Sequence, residues 1–260
     1  MGDLDIITCV FVVVDDFVKQ LGEDTKPGPT GKLSLSEVLT LAILHPLLKP
    51  FVNLKRYYKW LGTNYRQCFP ALVEYSRFTR LLKHYGQLLE SLQRRHGNTK
   101  SFGLIADGTT VPVMKVVRGP YAKSFRDARK VYSASKKQWD WGFLLELVID
   151  QAGTIAFFSL GKAAEIRQLT NILEDLKDRW VLGDRGSQGK KIHEKLWKDK
   201  QIRIKLTGGK ERQWIENVIG VLKDKLGLDR IRVRKTYSFT IRVTAILCAY
   251  NLALNLNLPI

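Results

Sequence analysis

The sequence predicts an α/β fold, with a mixed sheet flanked by helices behind an all-α N-terminal region. Three observations predict it. Residues 1–98 carry helical patterns and a capping box. Residues 99–260 run as strand, strand, strand, helix, strand, helix, strand, helix. Within that order, Asp150-Gln-Ala-Gly153 is a hairpin turn signal. A hairpin followed by crossover strands needs a mixed sheet with helices on its faces. The chain has 260 residues, enough for one large domain or two smaller ones. Gly97-Asn98 is the expected boundary, giving a helical region 1–98 and an alternating strand–helix region 99–260.

In the first region, the apolar run Ile6 to Val14 predicts a buried helix segment. It is too short to span a bilayer and stops at Asp15-Asp16. Asp3 and Asp5 give it the wrong charge for a signal peptide. No membrane is therefore expected. Ser34-Leu-Ser-Glu37 has capping-box spacing ahead of Val38 to Leu44, and His45-Pro46 is expected to bend or end that helix. Lys55-Arg-Tyr-Tyr-Lys-Trp60 mixes bases with aromatics. That mix suits DNA contact and the rim of a helix bundle equally well. From Tyr75 to Arg95, one helical pattern would place Phe78, Leu81, Leu82, Tyr85, Leu88, Leu89 and Leu92 on one face.

In the second region, Phe102 to Asp107 reads as a strand ending at the aspartate. Phe143–Ile149 and Thr154–Leu160 form the hairpin, and Glu165–Lys177 is a helix. Trp180–Gly183 is a short buried strand, followed by a helix over Gln188–Lys200 and a strand over Ile202–Leu206. Long helices over Gln213–Gly227 and Ser238–Leu256 close the chain.

The net charge is +18, which favours a polyanionic partner, nucleic acid above all. Residues 1–98 hold 13 Lys and Arg against 9 Asp and Glu, and residues 99–260 hold 30 against 16, so the excess lies in the second region. Its densest stretch holds Lys115, Arg118, Lys123, Arg126, Arg129, Lys130, Lys136 and Lys137 against Asp127 alone. It is expected to be a loop over the site that contacts DNA phosphates. Arg230-Ile-Arg-Val-Arg-Lys235 alternates charge and apolar residues and reads as a second phosphate-facing segment. The three cysteines, Cys9, Cys68 and Cys248, have no metal-ligand or disulfide spacing, which fits a reducing, cytoplasmic setting. The histidines show no ligand spacing, and no P-loop or nucleophile elbow is present.

Three carboxylates remain. Asp107 and Asp184 each follow an apolar run, and sites in open α/β sheets form at the carboxyl ends of strands. Glu216 lies on a helix with Arg212 and Lys223 at i−4 and i+7. Singly, each has an ordinary structural explanation: a turn, a helix cap, an intrahelical ion pair. Together they suggest a Mg²⁺ site, because Mg²⁺ takes carboxylate oxygens and substrate phosphates and promotes in-line phosphoryl displacement.

These residues resemble the DDE transposases of bacterial insertion sequences, whose catalytic domain is ribonuclease H-like. The resemblance rests on Asp107-Gly-Thr-Thr-Val-Pro-Val113, Ser133 to Phe143, Leu182-Gly-Asp184-Arg-Gly186, Arg212 to Lys223 and Ala249-Tyr-Asn-Leu252. It implies Asp107, Asp184 and Glu216 as catalytic metal ligands for Mg²⁺, with Mn²⁺ as a substitute. It implies Arg212 and Lys223 as DNA-phosphate contacts, strand cleavage and strand transfer as the activity, and a homodimer or larger synaptic complex at the bacterial nucleoid. The chain departs from the family at Gly209, where a tyrosine is frequent, at Leu144 and Glu146, where a lysine and a histidine are frequent, and in a short segment before Glu216. Those departures point to the alternative, a catalytically decayed or recruited DNA-binding protein.

Overall fold

The computed structural model describes residues 1–22, 32–133, 137–162, 165–174, 176–183, 189–206 and 209–260. Its N-terminal helices are α1 (Asp3–Gln20), α2 (Leu35–Leu48), α3 (Leu54–Asn64), α4 (Tyr75–Tyr85) and α5 (Leu88–His96). The capping box forms as expected: Ser34 accepts the Glu37 N–H, and Glu37 accepts the Ser34 N–H. Pro46 does not end α2, which runs on to Leu48. It lies so near the C-terminus that little of the helix remains for its missing N–H and ring to disturb. Beside it the buried His45 bonds through Nε2 to the Val52 carbonyl at 2.7 Å and stacks on Tyr57.

The expected single helix over Tyr75 to Arg95 is two helices, broken at Gly86-Gln87. A Cβ on Gly86 would come within 2.6 Å of Ile241, so the break lies at a close approach of the C-terminal helix to the bundle. In α3 the basic–aromatic mix resolves largely into core packing. Tyr57 and Tyr58 are buried and donate to the carbonyls of Leu41 and Val73, while Lys55, Arg56 and Lys59 stay exposed.

The second region holds β1 (Gly103–Lys115), β2 (Arg129–Ser133), β3 (Gln138–Asp150), β4 (Ile155–Gly161), α6 (Glu165–Leu173), β5 (Arg179–Gly183), α7 (Lys190–Lys200), β6 (Ile202–Leu206), α8 (Lys210–Asp224) and α9 (Thr236–Asn255). One edge of β3 pairs with β1. Its other edge carries β4 and, farther along, β2. Beyond β1 come β5 and β6, parallel to it. The resulting order β4-β3-β1-β5-β6, antiparallel and then parallel, is a curled mixed sheet consistent with a ribonuclease H-like fold.

Two expectations are corrected here. The first strand does not end at Asp107 but continues to Lys115, because β3 stays paired with it from Gly108↔Glu146 to Lys115↔Asp140. The basic stretch after it is not one loop: Val116–Tyr121 is a 3₁₀ turn and Arg129–Ser133 is strand β2.

The two faces of the sheet bury different layers. Ile105, Val111, Phe143, Leu145, Leu147 and Ile149 face α8 and α9. Leu104, Ala106 and Val148 face Leu169 and Leu173 of α6 and Leu196 of α7. Helix α9 serves two cores: Phe239, Val243 and Ile246 pack on the sheet, and Ala245, Cys248 and Leu252 pack on the N-terminal helices. It is long and apolar enough to cross a membrane, but most of its apolar window is buried inside the protein. Gly97, at the expected boundary, is also a close contact, since a Cβ there would meet the Ile155 carbonyl at 2.5 Å.

Candidate active site

Strand β1 positions Asp107. It pairs in parallel with β5 over Gly103↔Trp180, Leu104↔Val181 and Ile105↔Leu182, and the pairing stops there. Strand β1 itself continues alongside β3, with Asp107 opposite Leu147. The last pair of the parallel ladder, Ile105↔Leu182, lies near the carboxyl end of β5, the end of a parallel strand at which sites in α/β sheets form. Asp107 stands two residues past Ile105 in the sequence, and Asp184 two residues past Leu182. Asp184 lies outside the described residues; β5 ends at Gly183, just before it.

Strand alternation puts Asp107 on the same face as Ile105, Thr109 and Val111, the face covered by α8. The carboxylate is 8% exposed, and its Oδ1 accepts the Gly108 N–H at 2.9 Å. Helix α8 packs on β1 through Ile215, Val218 and Leu222. Arg212, Glu216 and Lys223 form a stripe along the border of that buried face. Arg212 Nε and Glu216 Oε1 are 2.9 Å apart, with the side chains 44% and 54% exposed. The intrahelical ion pair is thus present. Lys223 is half-buried.

The fold sets the Glu216 helix over the Asp107 face, but among the described residues no three His, Cys, Asp or Glu side chains form a group able to hold a metal ion. The third carboxylate of the expected set, Asp184, is not among those residues.

The basic residues flank the part of β1 that extends beyond β5. Lys115, Arg118, Arg126, Lys130 and Lys137 are exposed, and Arg129 is half-buried at the start of β2. Lys130 lies over the Trp139 ring at 4.6 Å, and Tyr132 packs beside the same ring. Lys136 lies outside the described residues. The Arg230–Lys235 segment alternates as expected, with Ile231 buried, Val233 half-buried and Arg232, Arg234 and Lys235 exposed.

A further carboxylate lies buried within the sheet. Glu146 on β3 is fully buried, opposite Gly108 on β1 and Ser159 on β4. It shares the α6 face with Leu144 and Val148, opposite to the face carrying Asp107. The signal was available as a lone acid within the apolar run Phe143 to Ile149.

Residues 99–213 match the model of the family described as Transposase DDE domain. The match includes Asp107 and Asp184 and ends three residues before Glu216. No curated protein matches the chain.

Proposed function

We propose, from the premise that residues 99–213 belong to the family of transposase DDE domains, that this protein is a DNA transposase. It would cut DNA strands at the ends of an insertion sequence and join them to a target. Asp107, Asp184 and Glu216 are the proposed catalytic carboxylates. The observation that supports the reading is the β1–β5 register, in which Ile105, two residues before Asp107, pairs with Leu182 in a parallel ladder.

The donor set is all carboxylate oxygen, the chemistry that Mg²⁺ and Mn²⁺ accept. The family uses a divalent metal in general. When bound, such an ion lowers the barrier to phosphoryl transfer by stabilising charge on the attacking and leaving oxygens. The chain's own residues do the remaining work. The buried setting of Asp107 keeps bulk water from its carboxylate. Arg212 and Lys223 border the face on which the backbone would lie. Lys115, Arg118, Arg126, Arg129, Lys130, Lys136 and Lys137 supply cations for more distant phosphates. Residues 1–98 are assigned to holding the DNA end and residues 99–260 to the chemistry. Joining two ends calls for at least a homodimer in the synaptic complex. The setting is the bacterial cytoplasm, at the nucleoid.

One observation favours the second reading, a DNA-binding protein that has lost catalysis. The Glu216 carboxylate is about half exposed and already paired with Arg212.

Purified protein, Mg²⁺ or Mn²⁺, and a labelled duplex carrying the repeats that flank the gene decide between them. Cleavage that disappears in both Asp107→Ala and Asp184→Ala supports the transposase. Cleavage that survives either change removes the site assignment. Binding without cleavage by the intact chain favours the second reading.

A further inference from the structure

Arg242 is a single charge in the apolar run Phe239 to Leu247 of α9, and it is 6% exposed. Among the described residues its Nη1 has no hydrogen-bond partner and no carboxylate pairs with it. Burial pulls its pKa down to about 10, so it remains a cation at neutral pH. A buried charge without a counterion is costly, which makes an anion the natural missing partner.

Two adjoining cavities meet at this side chain. The smaller, about 130 Å³, lies between the Pro50–Leu54 turn and the chain from Gly227 to Val233. The larger, about 610 Å³, runs between α3, α4 and the chain from Arg232 to Ser238. Both are lined by Asn53, Arg232 and Arg242. Arg56 and Arg230 add charge to the first, Lys55, Lys83 and Arg234 to the second, and no described Asp or Glu lines either. Asn53 caps α3 by accepting the Arg56 N–H at 2.9 Å, so the positive end of that helix also borders the cleft.

We propose that this cleft binds a phosphate group, with Arg242 as the buried ligand and Arg232 at its mouth. The phosphate belongs either to a DNA backbone or to a free ion; the recognising chemistry is the same. Only the DNA source rests on the transposase reading.

The test follows thermal unfolding of the full chain with and without inorganic phosphate at constant ionic strength, beside fluorescence anisotropy of a labelled duplex. Phosphate should raise the Tm of the intact chain and of Asp107→Ala equally. Arg242→Leu should melt higher than the intact chain without phosphate and no longer respond to it. Arg232→Gln, at an exposed position, should keep the intact Tm and lose most of the response, so the test stands even if Arg242→Leu fails to fold. Duplex binding weakened about 10-fold in Arg232→Gln, the scale of one charge-assisted hydrogen bond, assigns the phosphate to DNA. Unchanged duplex binding with a lost phosphate response assigns it to a free ion. If the intact chain binds no duplex but still responds to phosphate, the site stands and the transposase reading falls. If phosphate leaves the intact chain unmoved and Arg232→Gln binds duplex normally, the proposal is overturned.

Discussion

Asn251 of α9 is bonded to both backbone groups of Ile155, the first residue of β4. Its Oδ1 accepts the Ile155 N–H at 3.0 Å, and its Nδ2 donates to the Ile155 carbonyl at 2.8 Å. The side-chain amide thus acts as one more strand residue. Gln93 of α5 donates to the same carbonyl at 2.8 Å. The last helix of the N-terminal region and the C-terminal helix are therefore pinned to one residue of the sheet. Asn251→Leu should lose about 1–3 kcal/mol of stability, because the buried Ile155 N–H is left without an acceptor. Gln93→Leu should lose less, since the carbonyl keeps Asn251. Urea unfolding of both variants checks the order.

His45 gives a pH dependence. Burial, reinforced by the nearby Arg242 charge, lowers its pKa to about 3 in the folded protein, against 6.5 for the free side chain. The unfolded chain therefore takes up the proton first as pH falls. The contribution is complete above about pH 6.5 and is lost on acidification toward the folded value, at no more than about 1.4 kcal/mol per pH unit. Burial also lowers the His96 pKa, which acts in the same direction. His45→Gln should flatten the fall in urea midpoint between pH 7.5 and 5.5, a window above the ordinary carboxylate range.

Glu216 separates stability from catalysis. Its exposed i,i+4 pair with Arg212 is worth less than about 0.5 kcal/mol. Glu216→Gln should leave the Tm nearly unchanged while cleavage falls at least about 100-fold, given that even an outer-shell change at a metal site can cost 10–100-fold. Intact cleavage in that variant would remove Glu216 from the site.

Gly86→Ala should destabilise the protein by about 1–3 kcal/mol, the cost of overpacking, because its Cβ would meet Ile241 at 2.6 Å. Ile241→Ala should recover part of that loss in the double variant, which thermal unfolding can measure.

Much of the second region was legible because its elements are local. The 150–153 turn signal gave the hairpin, and Ile202–Leu206 came out with its own limits because five residues of strand stand between a helix and Thr207-Gly208-Gly209. Strand β2 was not legible, since its basic residues, Arg129 and Lys130, read as solvated loop. Its pairing with β3, not its composition, makes it a strand.

The sequence by itself determined the α/β class, the three acids, the surplus of cations in the second region and the capping box of α2, because each depends on residue type and spacing. Tertiary structure decided the rest. It carried β1 past Asp107, since strand length is set by a partner such as β3 and not by a glycine. It split the Tyr75–Arg95 pattern where Ile241 comes close. It turned Arg242 from one letter in an apolar helix into a buried charge between two cavities, because burial and pairing depend on what other segments bring to the same place.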